Sequence, residues 1–149
     1  SFEYLLGRID PDNLRVRENL QLLRASLHCR IAIVEGRSAA KELAQLRGLI
    51  EASTLQPHRL LSYQGVLIES LYDAGLDAEA LEFAPRVLAF NPNHPRTLLV
   101  SAKAEARQRN REAALDYLSR YLEVMREADE SHVRVDRARQ LHDRLAPSS

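Results

Sequence analysis

The chain is punctuated at a fixed interval, and that interval leaves little room for anything but stacked helical hairpins. From Leu61 to His94 it reads LSYQGVLIESLYDAGLDAEALEFAPRVLAFNPNH. One apolar-periodic run ends at Gly75, and a second starts after Asp77 and ends at Asn91-Pro92. Pro95 opens another segment of the same length, which closes near Ala128. A unit of about 34 residues, built of two helices and two turns, cannot bury its apolar face alone. Consecutive units must stack to make a core.

The local signals agree with that reading. Leu60, Leu61, Gln64, Leu67, Ile68 and Leu71 recur at steps of three and four and fall on one helix face. Gly75 can take the left-handed conformation that closes a helix. Asp77 is expected to cap the next one through its carboxylate. Ala80, Leu81, Ala84, Val87 and Leu88 supply the inner face of that second helix, with small Ala80 and Ala84 allowing close approach. Asn91-Pro92 ends it, because a residue before proline is pushed out of the helical region. Pro85 lies inside this helix, where its nitrogen cannot donate to Leu81 and its ring crowds that carbonyl. A kink or a broken bond is expected there, or a new helix starting at Pro85.

The next unit repeats the pattern. Ala114, Leu115 and Leu122 follow Ala80, Leu81 and Leu88 one repeat later, and Tyr117 follows Phe83 in the same way. Asn110 stands at the turn. On Gly75, Ala80, Leu81, Phe83, Pro92, Ala114, Leu115 and Tyr117 the stretch Leu61–Ala128 resembles the tetratricopeptide repeat family. Gly65 and Ser101 depart from the larger apolar groups of the family pattern, and Arg126 stands where a closing proline is usual. The resemblance implies an all-α fold, a right-handed superhelix of antiparallel helix hairpins with six to seven helices. It divides the single domain 1–149 into a degenerate hairpin (10–56), two repeats (57–94 and 95–128) and a C-terminal capping helix (129–146).

The flanking segments fit around these repeats. Ser1–Ile9 is short and apolar, the end of an upstream helix or a flap. Asp10-Pro11 is expected to start a helix running to about Glu35, with aspartate as N-cap and proline in the first position. Val16, Leu20, Leu23, Leu27, Ile31 and Val34 form one stripe on it, and Leu22 and Ile33 widen the apolar surface, so contacts on two sides are expected. Gly36 stops it. Ser38 is expected to cap a helix from Ala39 to about Ala52, with Leu43, Leu46, Leu49 and Ile50 inward. This pair reads as a degenerate repeat with a longer second helix, Lys41 replacing a small residue. Pro57 opens the next helix. A last helix from near Ser131 carries the narrow stripe Val135, Ala138, Leu141 and Leu145, with Arg134, Arg137, Arg139 and Arg144 on its wet face, as the open end of a stack requires.

Composition narrows the function. Basic and acidic side chains balance at 21 each, which argues against a general nucleic-acid binder. Few aromatics are present for base stacking. Cys29 is the one cysteine, so an internal disulfide and a cysteine-based zinc cluster are excluded. No run of 18 apolar residues exists to span a membrane. Of the basic residues 19 are arginine and two lysine, a bias that fits a GC-rich bacterial genome. The chain begins at Ser1 rather than methionine and is expected to be a piece of something longer; the sequence does not fix its compartment, and the bacterial cytoplasm, the periplasm and a soluble domain of a membrane-associated protein all stay open.

No catalytic constellation emerges. His28 and Cys29 are adjacent and point about 100° apart on a helix, and His132 and His142 lack metal-pair spacing. His58 and His94 sit near helix starts as loop residues. No phosphate loop or nucleophile elbow occurs. The expectation is a non-enzyme without catalytic residue, cofactor or metal.

In tetratricopeptide stacks the first helix of each repeat lines a concave groove. On that face the resemblance places Arg96, Leu99, Lys103 and Arg107 in one unit and Ser62, Gly65, Glu69, Tyr72 and Asp73 in the preceding one. Glu69, Tyr72, Asp73, Arg96, Leu99, Lys103 and Arg107 are the candidate partner-binding residues. The basic row would seat an acidic peptide or a terminal carboxylate, although the lysine and asparagine set of the chaperone-binding carboxylate clamp is missing. Glu69 and Lys103 are one repeat apart, as are Asp73 and Arg107, and each pair is expected to meet, while Arg96 has only Ser62 as its equivalent. The function expected is a protein–protein interaction module or scaffold holding a protein or peptide segment. The alternative is an assembly or regulatory domain of a bacterial envelope secretion or polysaccharide-export complex.

Overall fold

The helix stops at Gly36 and Gly75 and the starts at Pro57 and Pro95 fall where the sequence puts them. The computed structural model describes residues 1–8, 13–126 and 133–147. Among these residues the structure is helical throughout and has no strand. Eight helices are present among them, one more than the upper expectation: α1 (Phe2–Arg8), α2 (Leu14–Val34), α3 (Ala40–Ala52), α4 (Pro57–Asp73), α5 (Asp77–Phe90), α6 (Pro95–Arg107), α7 (Arg111–Val124) and α8 (Val133–Leu145). The extra one is α1, within the segment expected to be a flap or helix end. The helices gather into two compact units, Ser1–Ala74 and Gly75–Ser149.

In the first unit α2 packs on α3 and α4, α3 on α4, and α1 on α2. Asn13 caps α2, its side chain accepting from the Val16 amide at 3.4 Å. The Asp10-Pro11 start lies outside the described residues. At the other end Gly36 adopts φ +67°. Its amide donates to the Ile33 carbonyl, and that of Arg37 to Ala32. These paired bonds satisfy carbonyls that a helix end otherwise leaves open. Ser38 is not the cap of α3: the N-cap is Ala39, with no side-chain bond and its methyl buried. Apolar burial fixes this entry instead of a hydroxyl. Nor is the second helix of this pair the long one, since α3 has 13 residues and α2 has 21.

The core of this unit takes Leu22, Ala25, Cys29 and Ala32 from α2 and Leu43, Leu46 and Ile50 from α3, while Leu49 is half-buried. Polar ties cross it. Glu18 accepts from the hydroxyls of Ser53 and Thr54 and from the Thr54 amide. Those bonds hold its carboxyl below its ordinary range despite some desolvation, with the Thr54 hydroxyl the largest cause. The Tyr63 hydroxyl donates to the Asn19 carbonyl at 3.2 Å.

In the second unit α5 packs on α6, α6 on α7, and α7 on α8. Its core cluster is Leu98, Leu99, Ala102, Leu118, Tyr121 and Ala138, flanked by Leu88, Tyr117, Leu122, Met125, Leu141 and Leu145. Asp77 is the first residue of α5 and not its cap, which is Leu76 without a side-chain bond. The carboxylate is used elsewhere, as described below. Helix α5 continues through Pro85, which is exposed, so no new helix begins there. On α8, Val135 and Ala138 are buried while Arg134, Arg137, Arg139 and Arg144 are exposed. The guanidinium of Arg111 donates to the Leu145 carbonyl at the helix end.

Helix lengths and buried positions recur along the chain. Helices α5 and α7 each have 14 residues and start one repeat apart, at Asp77 and Arg111. Ala80 and Ala114 are both buried, as are Ala84 and Leu118, and Val87 and Tyr121. The preceding helices keep step: Leu67, Ser101 and Val135 are all buried, and so are Ser70, Ala104 and Ala138. The turns repeat too. Gly75 has φ +79°, and Arg109, one repeat further on, has φ +64°.

Candidate binding surface

The seven candidate residues come from two helices. Glu69, Tyr72 and Asp73 are on α4 in the first unit. Arg96, Leu99, Lys103 and Arg107 are on α6 in the second.

On α4, Glu69 and Tyr72 are half-buried. Asp73 accepts from Arg30 of α2 at 2.6 Å, a tie between helices that spans 43 residues of sequence. Nothing in a repeat spacing announces this partner, because it depends on how α2 lies against α4. At about a third to two fifths exposed on each side, such a pair contributes at most about 1 kcal/mol.

On α6 the row divides. Arg96 is exposed and Lys103 half-buried. Leu99 is not a groove residue: it is 8% exposed and belongs to the core cluster with Leu98, Ala102 and Leu118. The step of three that puts Leu99 in line with Arg96 also puts it in line with buried Ala102. On a 13-residue helix with seven buried positions, the apolar arc is wide enough to take it in. Arg107 forms a two-pronged bond to Asp77, Nε to Oδ2 at 2.8 Å and Nη2 to Oδ1 at 2.5 Å. The Asp77 side chain is 12% exposed. The carboxylate sits at the start of α5 and the guanidinium at the end of α6, so each charge opposes the local helix dipole. The expected pairs Glu69–Lys103 and Asp73–Arg107 span the two units. Within the units Asp73 and Arg107 have the partners just named.

His94 is a further polar feature, placed at a helix start and not in a loop. It is the N-cap of α6, and its Nδ1 lies 2.7 Å from the hydroxyl of fully buried Thr97. Burial, and then the charge of Arg96, hold the imidazole below its ordinary value. His-Pro-X-Thr before an apolar run was the available signal: a residue ahead of a first-position proline, with a hydroxyl three later.

An open hollow of about 450 Å³ is lined by Asn93, Ser119, Arg120, Glu123 and Val124. Of its lining residues, Arg120 donates from its guanidinium to the Pro92 carbonyl at 3.0 Å and lies over the Tyr117 ring. None of the seven candidate residues lines it. Cys29 is fully buried, and desolvation, with Glu42 nearby, pushes its thiol up to about 11; adjacent His28 is exposed. His132 lies outside the described residues. No cluster of three or more possible metal ligands occurs among the described residues, and no helix among them is long and apolar enough to cross a membrane.

Comparison with protein-family models, with curated proteins and with solved structures finds no match.

Proposed function

We propose that this chain is a tetratricopeptide-like repeat module whose work is to hold a segment of another protein. One observation carries the reading: α5 and α7 match in length and in buried positions at an offset of one repeat, with left-handed turn residues Gly75 and Arg109 at the same offset. Repeats of that length build solenoids, in which helix pairs stack and leave extended surfaces for binding.

The candidate ligand-bearing residues on this reading are Glu69, Tyr72 and Asp73 in the first unit and, separately, Arg96, Lys103 and Arg107 in the second. Leu99 drops out because its side chain is in the core. The basic members favour a partner with carboxylates in an extended or helical segment.

The test is retention of an array of peptides that vary in acidic content. Wild-type protein is expected to retain acidic members, and the double variant Arg96→Glu, Lys103→Glu to lose at least tenfold in affinity while keeping its melting temperature. Retention that is equal for acidic and neutral peptides, or unchanged in the double variant, overturns the assignment of this face.

A further inference from the structure

The apolar stripe of α2 does not face the core. Val16, Leu23, Leu27, Ile31 and Val34 are between 42% and 81% exposed, and Leu20 is half-buried. The buried residues of the same helix, Leu22, Ala25, Ser26, Cys29 and Ala32, lie on the other side. At 100° per residue the six stripe positions fall within an arc of about 80° and run about 27 Å along the axis. A stripe of this period suits a straight helix laid against another helix.

We propose that this stripe joins two copies of the chain, with α2 packed antiparallel against α2 of the second copy. The spacing argues for a copy over any other occupant, because the stripe is close to its own mirror about Ala25. Turning a second α2 end for end sets Val16 opposite Val34, Leu20 opposite Ile31 and Leu23 opposite Leu27. Each of those contacts then occurs twice, as a two-fold interface demands. The flanking charges agree. Exposed Arg17 follows Val16 and exposed Glu35 follows Val34. On the shared flank of an antiparallel pair, Arg17 of one copy meets Glu35 of the other. Glu35 keeps Arg37 beside it within its own chain, at 2.6 Å.

The area is sufficient. Five large apolar side chains at 42% exposed or more on one stripe, with half-buried Leu20 among them, exceed what scattered surface residues supply. They make a patch within the roughly 300–600 Å² range for the largest patch on a monomer. Covering it on both copies, with its polar rim, brings the total near the roughly 1,200 Å² at which standard interfaces begin. Helix α1 lies along the same helix, Glu3 meeting Arg24, and its Tyr4 and Leu5 are also half-exposed or more.

Sedimentation velocity on the chain across the micromolar range tests the proposal. Twice the chain mass is expected for the wild type. Leu23→Glu with Leu27→Glu should give a monomer with unchanged helical circular dichroism, since neither side chain is core. Leu27→Ser is a milder variant expected to weaken association at least tenfold. Orientation is read by oxidising a mixture of Val16→Cys and Val34→Cys proteins, with native Cys29 buried out of reach. Disulfides between the two different variants are expected to dominate. A monomeric wild type overturns the proposal and leaves the stripe to another polypeptide. A dimer that survives both charge substitutions overturns it too, and dominant Val16→Cys self-pairing overturns the antiparallel arrangement.

Discussion

Arg109 occupies a backbone position made for glycine. Its φ of +64° matches Gly75 at +79° and Gly36 at +67°, and its amide and that of Asn110 close the end of α6 onto Ala106 and Glu105. A side chain in this region costs about 1–2 kcal/mol. Arg109→Gly is therefore expected to stabilise the protein by about 1 kcal/mol, partly offset by the freedom glycine adds to the unfolded chain. Gly75→Ala should destabilise by a similar amount, wholly through the backbone, since an added methyl group meets nothing within 4 Å. Chemical denaturation of the two variants checks both signs. The glycine turn was legible in the sequence because glycine advertises its conformation. Arg109 was not, because arginine carries no such signal and only the repeat count points to it.

His94 gives the residue scale a pH dependence. Its folded value lies below the ordinary 6.5. Between the two values the unfolded chain holds the extra proton and the folded chain does not, so stability falls as pH falls. The contribution is fully present above about pH 7 and is lost as pH drops through the folded value. His94→Gln should flatten the melting temperature over that window, and an unchanged slope would show that His94 is not its source.

At the scale of the element, burial decided more than capping. Asp77 and Ser38 both looked like caps, and neither is one. Asp77 instead anchors Arg107 from the next helix, a use that no short-range pattern contains. Periodicity located the helices and placed Ala80, Ala84 and Val87 inside. It did not settle which apolar face of α2 turns inward, because α2 carries apolar residues around much of its circumference. The buried set is Leu22 with the small Ala25, Ser26, Cys29 and Ala32, since small side chains let α3 and α4 come close. Pro85 belongs to this scale as well. It sits at an exposed position inside α5, where it removes one backbone bond and crowds the Leu81 carbonyl. Interior proline costs about 3 kcal/mol relative to alanine in an unadapted helix. Pro85→Ala is expected to raise stability by about 1–3 kcal/mol, seen as a higher denaturant midpoint with an unchanged slope. A lower midpoint would mean that the proline ring packs usefully where it is.

For the whole molecule, the helical class was readable from apolar residues at steps of three and four, broken at Gly36, Gly75 and Pro92. The candidate site was readable only in part. A row at steps of three and four identifies a helix face, but not where the core ends on that face. Arg96 and Leu99 share the row, yet Arg96 is exposed and Leu99 is packed with Leu98, Ala102, Leu118, Tyr121 and Ala138. The two must respond differently to a charge. Leu99→Asp puts a carboxylate into a cluster drawn from α6, α7 and α8, and burying an unpaired charge ranks among the costliest single changes, at several kcal/mol. In a domain of this size each kcal/mol moves the melting temperature by roughly 2–4 °C. Leu99→Asp should therefore lower it by more than about 8 °C and weaken the helical signal, while Arg96→Glu leaves both nearly unchanged. Leu99→Met, which keeps volume and polarity, should cost less than about 1.5 kcal/mol. Parallel thermal melts of the three variants decide the matter, and a Leu99→Asp protein as stable as wild type would return Leu99 to the surface.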